Sequence, residues 1–199
     1  MGIAVEYHPA VEDGVSFLRR SNSGARPQMP ETVGVVGGGD VAMDACRAAL
    51  RLPGCKTVKV IYRRGPEDIP ARKIELHHAQ KEGIEFIYNT LQTDVLETSD
   101  GLVLQCVRTE AGPSDTDGRS APVTVDGSAF EISCGMVIAA VGQKGICEAL
   151  ESAGLMGSDR VQADFLTMRT ADHKVFAAGD GAFGGSTIVM AMHHGQRAA

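Results

Sequence analysis

Tryptophan is absent from this chain, and aromatic residues make up only 5% of it, too few for a platform that stacks single-stranded nucleic acid. A basic excess is missing as well. The formal net charge of -6 argues against a general binder of nucleic acid or of an anionic membrane. No apolar run approaches the roughly 18 residues of a transmembrane span. Met1-Gly2-Ile3-Ala4-Val5-Glu6 lacks the basic-then-apolar order of a signal peptide. The five cysteines (Cys46, Cys55, Cys106, Cys134, Cys147) include no Cys-x-x-Cys pair, which suits neither an iron–sulfur cluster nor a zinc site. An odd number of free thiols suits a reducing cytoplasm, with the cysteines as small core or surface residues. What remains is an ordinary soluble composition, in a chain of 199 residues that can bury a core.

Hydrophobic periodicity organises that chain. Val11, Val15 and Leu18 predict a short helix over 11–21, followed by a Ser/Gly/Arg/Pro linker to Pro30. Thr32-Val33-Gly34-Val35-Val36 predicts a strand, Asp40 to Leu52 a helix with a small-residue face, and Thr57 to Tyr62 a second strand. A loop over 63–70, a helix over 71–83 closed by Gly83, and a strand over 84–88 complete a β-α-β-α-β order. The pattern then turns antiparallel. A hairpin is expected over 95–107 about Ser99-Asp100-Gly101, then a strand pair, 123–125 and 129–132, joined at Asp126-Gly127. Glu110 to Ser120 between them predicts a mobile loop. Met136 to Val141 is a last apolar strand ending at Gly142. Beyond it come a helical turn over 148–153, a strand over 175–178 and a helix from Ser186. The fold class expected is α/β, a Rossmann-like parallel sheet with an antiparallel β excursion.

The chemistry concentrates after the first of those central strands. Gly37-Gly38-Gly39-Asp40-Val41-Ala42 fits G-x-G-x-x-A between a strand and a helix. The glycines allow a tight turn and close backbone approach to a pyrophosphate, and the helix N-terminus offers unpaired N–H groups to the phosphates. Asp40 is expected to turn away from the phosphates as an N-cap acceptor. Where an NAD site places an acid for the ribose 2′-OH, this chain has Arg63-Arg64, with Arg72 at the next helix. A guanidinium fork matches a 2′-phosphate, so the motif predicts NADPH; the plainer alternative is a solvated basic loop. His77-His78 and His193-His194 invite a metal, but neighbouring residues on a helix face different ways, which favours surface or helix-face roles.

These residues carry a resemblance. Val35 to Asp44, Val60 to Arg64, Ile69-Pro70-Ala71 and Glu82-Gly83 resemble the NADPH domain of the glutamate synthase small (β) subunit family. Gly14 to Arg20 is similar to the helix before that domain, and Met136 to Gln143 to its return crossover. Val175 to Asp180, Gly184 to Thr187, Ala191-Met192 and Gly195 to Ala199 are similar to its closing flavin-binding segment. The resemblance implies hydride transfer from NADPH to FAD, with electrons passed to iron–sulfur centres and a partner subunit. It assigns Gly37, Gly38, Gly39, Asp40 and Val41 to the pyrophosphate, Arg63, Arg64 and Arg72 to the 2′-phosphate, and Gly142 to the cofactor-binding set. Gly179 and Asp180 would meet the ribityl and phosphate region of FAD, and Ser186, Thr187 and Ile188 would aim a helix N-terminus at the flavin.

The departures shape the expected organisation. No G-x-G-x-x-G precedes residue 32 to grip the ADP half of FAD, and the family's cysteine-rich iron–sulfur region is missing. The chain also ends inside a helix without a stop signal. It is therefore expected to be a piece of a larger cytoplasmic NADPH-dependent FAD oxidoreductase, inactive alone. Its parts would be a lead-in over 1–30, an NADPH domain over 31–145 and a segment of a split FAD domain over 146–199. Its partners would be FAD-binding and iron–sulfur portions or a larger catalytic subunit, not nucleic acid or membrane. No residue is needed as acid, base or nucleophile. A stand-alone NADPH-binding module and an assembly piece without catalysis stay open.

Overall fold

The computed structural model describes residues 8–24, 26–114, 118, 120–142 and 147–199, and divides into two compact units, Met1–Gly142 and Gln143–Ala199. The boundary expected at 145–146 lies outside the described residues. In the first unit, β1 (Val11–Asp13), β2 (Thr32–Val36), β3 (Thr57–Ile61), β4 (Glu85–Ile87) and β9 (Met136–Ala139) form one parallel sheet of order β1-β9-β2-β3-β4. The chain runs outward from β2 through β3 and β4, then returns to the other side of β2. Between β2 and β9 lies the switch point where doubly wound sheets open a crevice at their carboxyl ends.

Both faces of this sheet are covered, which is why its strands read as continuous apolar runs. On one face α1 (Gly14–Asn22), α2 (Asp40–Leu50) and α3 (Lys73–Lys81) bury Phe17, Met43 and Ala45 against Val33, Val35, Val58, Val60 and Ile138. The small residues of α2, with Ala42, Ala45 and Ala49 at no exposure, bring its backbone close to the sheet. Arg47 joins α2 to α3 by pairing with Glu75 at 2.6 Å and Glu82 at 3.0 Å. The antiparallel strands β5 (Thr90–Thr98), β6 (Gly101–Ser114), β7 (Ser120–Thr124) and β8 (Phe130–Cys134) cover the other face. They bury Val95, Leu104, Ile132 and Cys134 with Val36, Ile61 and Val137.

The α/β class and the antiparallel excursion expected from the sequence are both present. Several details differ. Val11–Asp13 form an edge strand beside β9, and the helix begins only at Gly14, where the Asp13 carboxylate caps it by accepting from Ser16 N–H at 2.8 Å. The two strands after the hairpin are not a pair. Both run antiparallel to the long β6, with β7 opposite 109–114 and β8 opposite 102–106, so they follow one another along the same neighbour. Glu110 to Ser114, expected in a loop, continue β6 because β7 supplies their ladder partners; 115–117 and 119 lie outside the described residues. Gly83 sits one residue past the α3 cap at φ +85°, and Ile84 N–H donates to Ala79 O.

The second unit is made of short pieces: α4 (Glu148–Ser152), α5 (Asp180–Phe183) and α6 (Ile188–Ala198). The strand expected over 175–178 is absent. Met168, in the left-handed region at φ +58°, breaks the facing segment, and the ladder stops at a single Arg169–Phe176 bridge.

Candidate functional site at the carboxyl edge of the parallel sheet

The glycine loop lies at the switch point. Gly37 follows β2 at φ +139°, and its N–H donates to Ile61 O at 3.0 Å. A Cβ there would stand 2.3 Å from Ala140 O, so only glycine lets the end of β9 press against the turn. A Cβ on Gly38 would stand 2.6 Å from the Tyr62 ring. Gly39 caps α2 in an extended conformation and accepts from Ala42 and Met43 N–H. The N–H groups of Asp40 and Val41, which precede the first of these bonds, have no intrahelical acceptor. Val41, in that turn, is 38% exposed and stands beside the start of α1.

Asp40 departs from its expected role. It is the first helical residue, not the cap, and its two oxygens accept from the backbone N–H and the Nε of Arg72, both at 3.0 Å. This pair neutralises a carboxylate that would otherwise repel phosphate, and it holds Arg72 at the glycine loop. Further along α2, partial burial raises the Asp44 carboxyl, and the nearby Glu75 and Asp40 charges add to the rise.

Residues 65–72 fold back over the glycines, a feature that motif reading missed. Ala71 N–H donates to Gly38 O at 3.0 Å, and the Tyr62 hydroxyl donates to Asp68 O at 2.8 Å. Pro66–Asp68 form one 3-10 turn inside this segment. The sequence signal that could have found it is Tyr62 itself, an aromatic ring at the end of a strand one residue before the arginines.

Arg63 and Arg64 leave the carboxyl end of β3, the strand next to β2. They are not equivalent. Arg64 is only 7% exposed, and its Nε donates to Ser120 O at 2.7 Å, binding it to β7. Arg63 is half-buried, and its carbonyl accepts from the Thr109 hydroxyl. Gly142 lies beyond the end of β9, exposed, at φ +106°. The fold thus brings Gly37, Gly38, Gly39, Asp40, Val41 and Arg72 together, with Arg63, Arg64 and Gly142 on the adjoining strands of the same edge.

Gly179, Asp180, Ser186, Thr187 and Ile188 belong to the second unit. Gly179 caps α5 at φ +68°, and Asp180 is exposed. Thr187 caps α6, its hydroxyl accepting from Met190 N–H at 3.2 Å. Ile188 and Val189 in the first turn are 81% and 73% exposed. His193 is exposed and His194 buried, so the paired histidines face different ways. His194 sits between the edges of Phe165 and Phe183, its ring nitrogens without a hydrogen-bond partner. Among the described residues, no group of three His, Cys, Asp or Glu is placed to hold a metal, and no helix is long and apolar enough to cross a membrane.

Comparison with known proteins agrees with this architecture. The sequence profile described as pyridine nucleotide-disulphide oxidoreductase matches residues 5–199. The chain is 37% identical over 189 residues to the NADP(+)-dependent formate dehydrogenase subunit beta of Moorella thermoacetica, covering 94% of this chain and 27% of that protein. It is 36% identical over 171 residues to the glutamate synthase [NADPH] small chain of Azospirillum brasilense, covering 83% and 35%. The structure of Mycobacterium tuberculosis FprA in complex with NADPH matches with a TM-score of 0.77 at 17% identity, a likeness of fold that covers all of this chain and 59% of that one. The chain spans roughly a quarter to a third of these two curated relatives. By sequence, the chain belongs to the pyridine nucleotide-disulphide oxidoreductase family, with glutamate synthase small chains among its relatives.

Proposed function

We propose that the chain is the NADPH-binding part of a flavin-dependent oxidoreductase that passes hydride from NADPH to FAD and on to iron–sulfur or partner acceptors. The observation that carries this reading is the glycine loop at the sheet's switch point, with arginines rather than an acid after the neighbouring strand. The residues present fit the dinucleotide. Gly37 and Gly38 let the turn pack tightly on Ala140 and the Tyr62 ring, and Gly39, with open space beside it, leaves the backbone at the N-terminus of α2 accessible to a pyrophosphate. The Asp40–Arg72 pair keeps this turn from repelling an anion. Arg63 and Arg72 would take the 2′-phosphate, while Arg64 shapes the loop through Ser120. Gly142 would border the dinucleotide from the end of β9. The relatives' names, NADP(+)-dependent and NADPH-linked, support the same cofactor.

For FAD the fit is partial. Gly179, Asp180 and the α6 start at Ser186-Thr187-Ile188 would meet the flavin from the second unit. The grip on its ADP half would come from a G-x-G-x-x-G unit ahead of the NADPH domain, and none precedes residue 32. Bound FAD would supply the hydride acceptor. The chain's own residues bind and orient the donor, and no side chain of the edge needs to move a proton. A second reading, an assembly piece that joins a separate FAD-binding chain, is favoured by the exposed Ile188, Val189 and Met192 of α6.

Spectroscopy on the purified chain tests the proposal. A flavin spectrum bleached by NADPH is the result expected if the chain retains FAD. A colourless chain that binds NADPH, and reduces flavin only with an added FAD-binding partner, supports the assembly reading. Failure to bind NADPH in either setting overturns both.

A further inference from the structure

The antiparallel excursion is stitched to the arginine segment by a run of hydrogen bonds. Thr90 N–H donates to Tyr62 O at 3.0 Å, and Asn89 N–H donates to Arg64 O at 3.0 Å. Asn89 holds the left-handed conformation, φ +49°, and its own carbonyl accepts from Thr109 N–H at 2.9 Å. Thr109 then closes the loop. Its hydroxyl donates to Arg63 O at 2.9 Å, and the residue is 5% exposed. The Arg64–Ser120 bond fastens the same segment to β7. Arg63 thus leaves β3 on a backbone held from the side by β6, with the Thr109 hydroxyl on its carbonyl.

We infer that Thr109 is a positioning residue for cofactor selection, setting the direction in which Arg63 leaves the sheet and hence its fit to the 2′-phosphate of NADPH. The inference rests on the reading of Arg63 given above. A planar guanidinium recognises phosphate through a fork of fixed geometry, so a small change in backbone direction costs it more than it would cost a diffuse charge. Groups that carry a recognition residue matter because a site has to be held within about 0.5 Å of its productive geometry. NADH lacks the 2′-phosphate and makes no use of this alignment. The excursion, in this account, does more than cover one face of the sheet: it fixes which dinucleotide the edge prefers.

The test compares dissociation constants for NADPH and NADH on the full chain by titration calorimetry. Thr109→Val keeps size and β-branching but removes the donor, leaving Arg63 O without this partner. NADPH binding is expected to weaken by about fivefold, the effect of one lost hydrogen bond, with NADH unchanged. Thr109→Ser, which keeps the hydroxyl, should restore the preference. If Thr109→Val does not fold, Thr109→Ala removes the hydroxyl without bulk and carries the same expectation. Equal weakening of both dinucleotides, or no change in either, overturns the inference. Arg63→Ala is measured in parallel. If it erases the NADPH preference while Thr109→Val does not, the inference alone fails. If Arg63→Ala leaves the preference intact, the reading of Arg63 fails, and the inference with it.

Discussion

The two units of this chain are built differently. The first covers both faces of a parallel sheet, one with helices and one with antiparallel strands, and buries Val33, Val35, Val60, Leu104, Val137 and Ile138 with no exposure at all. The second, among its described residues, buries only Leu155, Met168 and His194, and leaves Leu166, Ile188, Val189 and Met192 more than 60% exposed. Its order comes from local devices: the Thr187 cap, the Asp164 carboxylate gathering Leu166 and Thr167 N–H, and the aromatic clasp around His194. The contrast shows what supports the candidate site at the sheet's edge. Gly37 and Arg63 are held by strands whose both faces are packed; the start of α6 carries the Thr187 hydroxyl cap, with Ile188 and Val189 exposed beside it.

The largest effect expected on that contrast comes from Gly37→Ala. At φ +139°, with Ala140 O at 2.3 Å from the new Cβ, the substitution separates the end of β9 from the turn. Dinucleotide binding should be lost, with a lower melting temperature; a variant that binds NADPH normally would show that the glycine loop is not the site. Next comes a matched pair. Ile138→Ala empties a fully buried position and should cost about 2–5 kcal/mol by denaturant titration. Ile188→Ala, at 81% exposure, should stay within about 0.5 kcal/mol. Equal costs would break the comparison between the units.

Thiol chemistry gives a subtler test. Burial pushes the Cys46 thiol up to about 12, and those of Cys106 and Cys134 up to about 11. The folded state therefore holds these three protons more tightly than the unfolded chain does. Their contribution is complete below about pH 9 and is lost as pH rises through 11 to 12. Stability should decline on the alkaline side, and a thiol reagent at pH 8 should label the exposed Cys147 quickly and these three only on unfolding. Rapid labelling of Cys46 in the native protein would contradict the packing of α2 on the sheet.

Much of the first unit was legible in the sequence because its signals are local. Apolar strands bounded by turns, a small-residue helix after three glycines, and Ser99-Asp100-Gly101 between two apolar runs each point to one structure. What escaped depends on partners distant in sequence. Val11–Asp13 carry helical spacing, yet β9, more than a hundred residues on, draws them into the sheet. Glu110 to Ser114 have loop composition, and only β7 makes them strand. At the site, the glycine motif and the arginines could be read directly. That Arg64 turns inward to Ser120 could not, because its acceptor is a backbone carbonyl 56 positions away. For the same reason a joint Arg63→Ala and Arg64→Ala change would mix loss of the phosphate contact proposed for Arg63 with loss of the Arg64–Ser120 bond; the single variants separate them. In the second unit, one left-handed residue, Met168, was enough to end a strand that Val175 to Ala178 otherwise predict.

The central claim is that the carboxyl edge of the parallel sheet selects NADPH through Arg63. The most direct measurement is calorimetric titration of the unmodified chain and of Arg63→Ala with NADPH and NADH. The account predicts that the unmodified chain binds NADPH more tightly and that Arg63→Ala brings the two affinities together by weakening NADPH alone. Equal affinities in the unmodified chain, or equal losses for both dinucleotides in the variant, would contradict it.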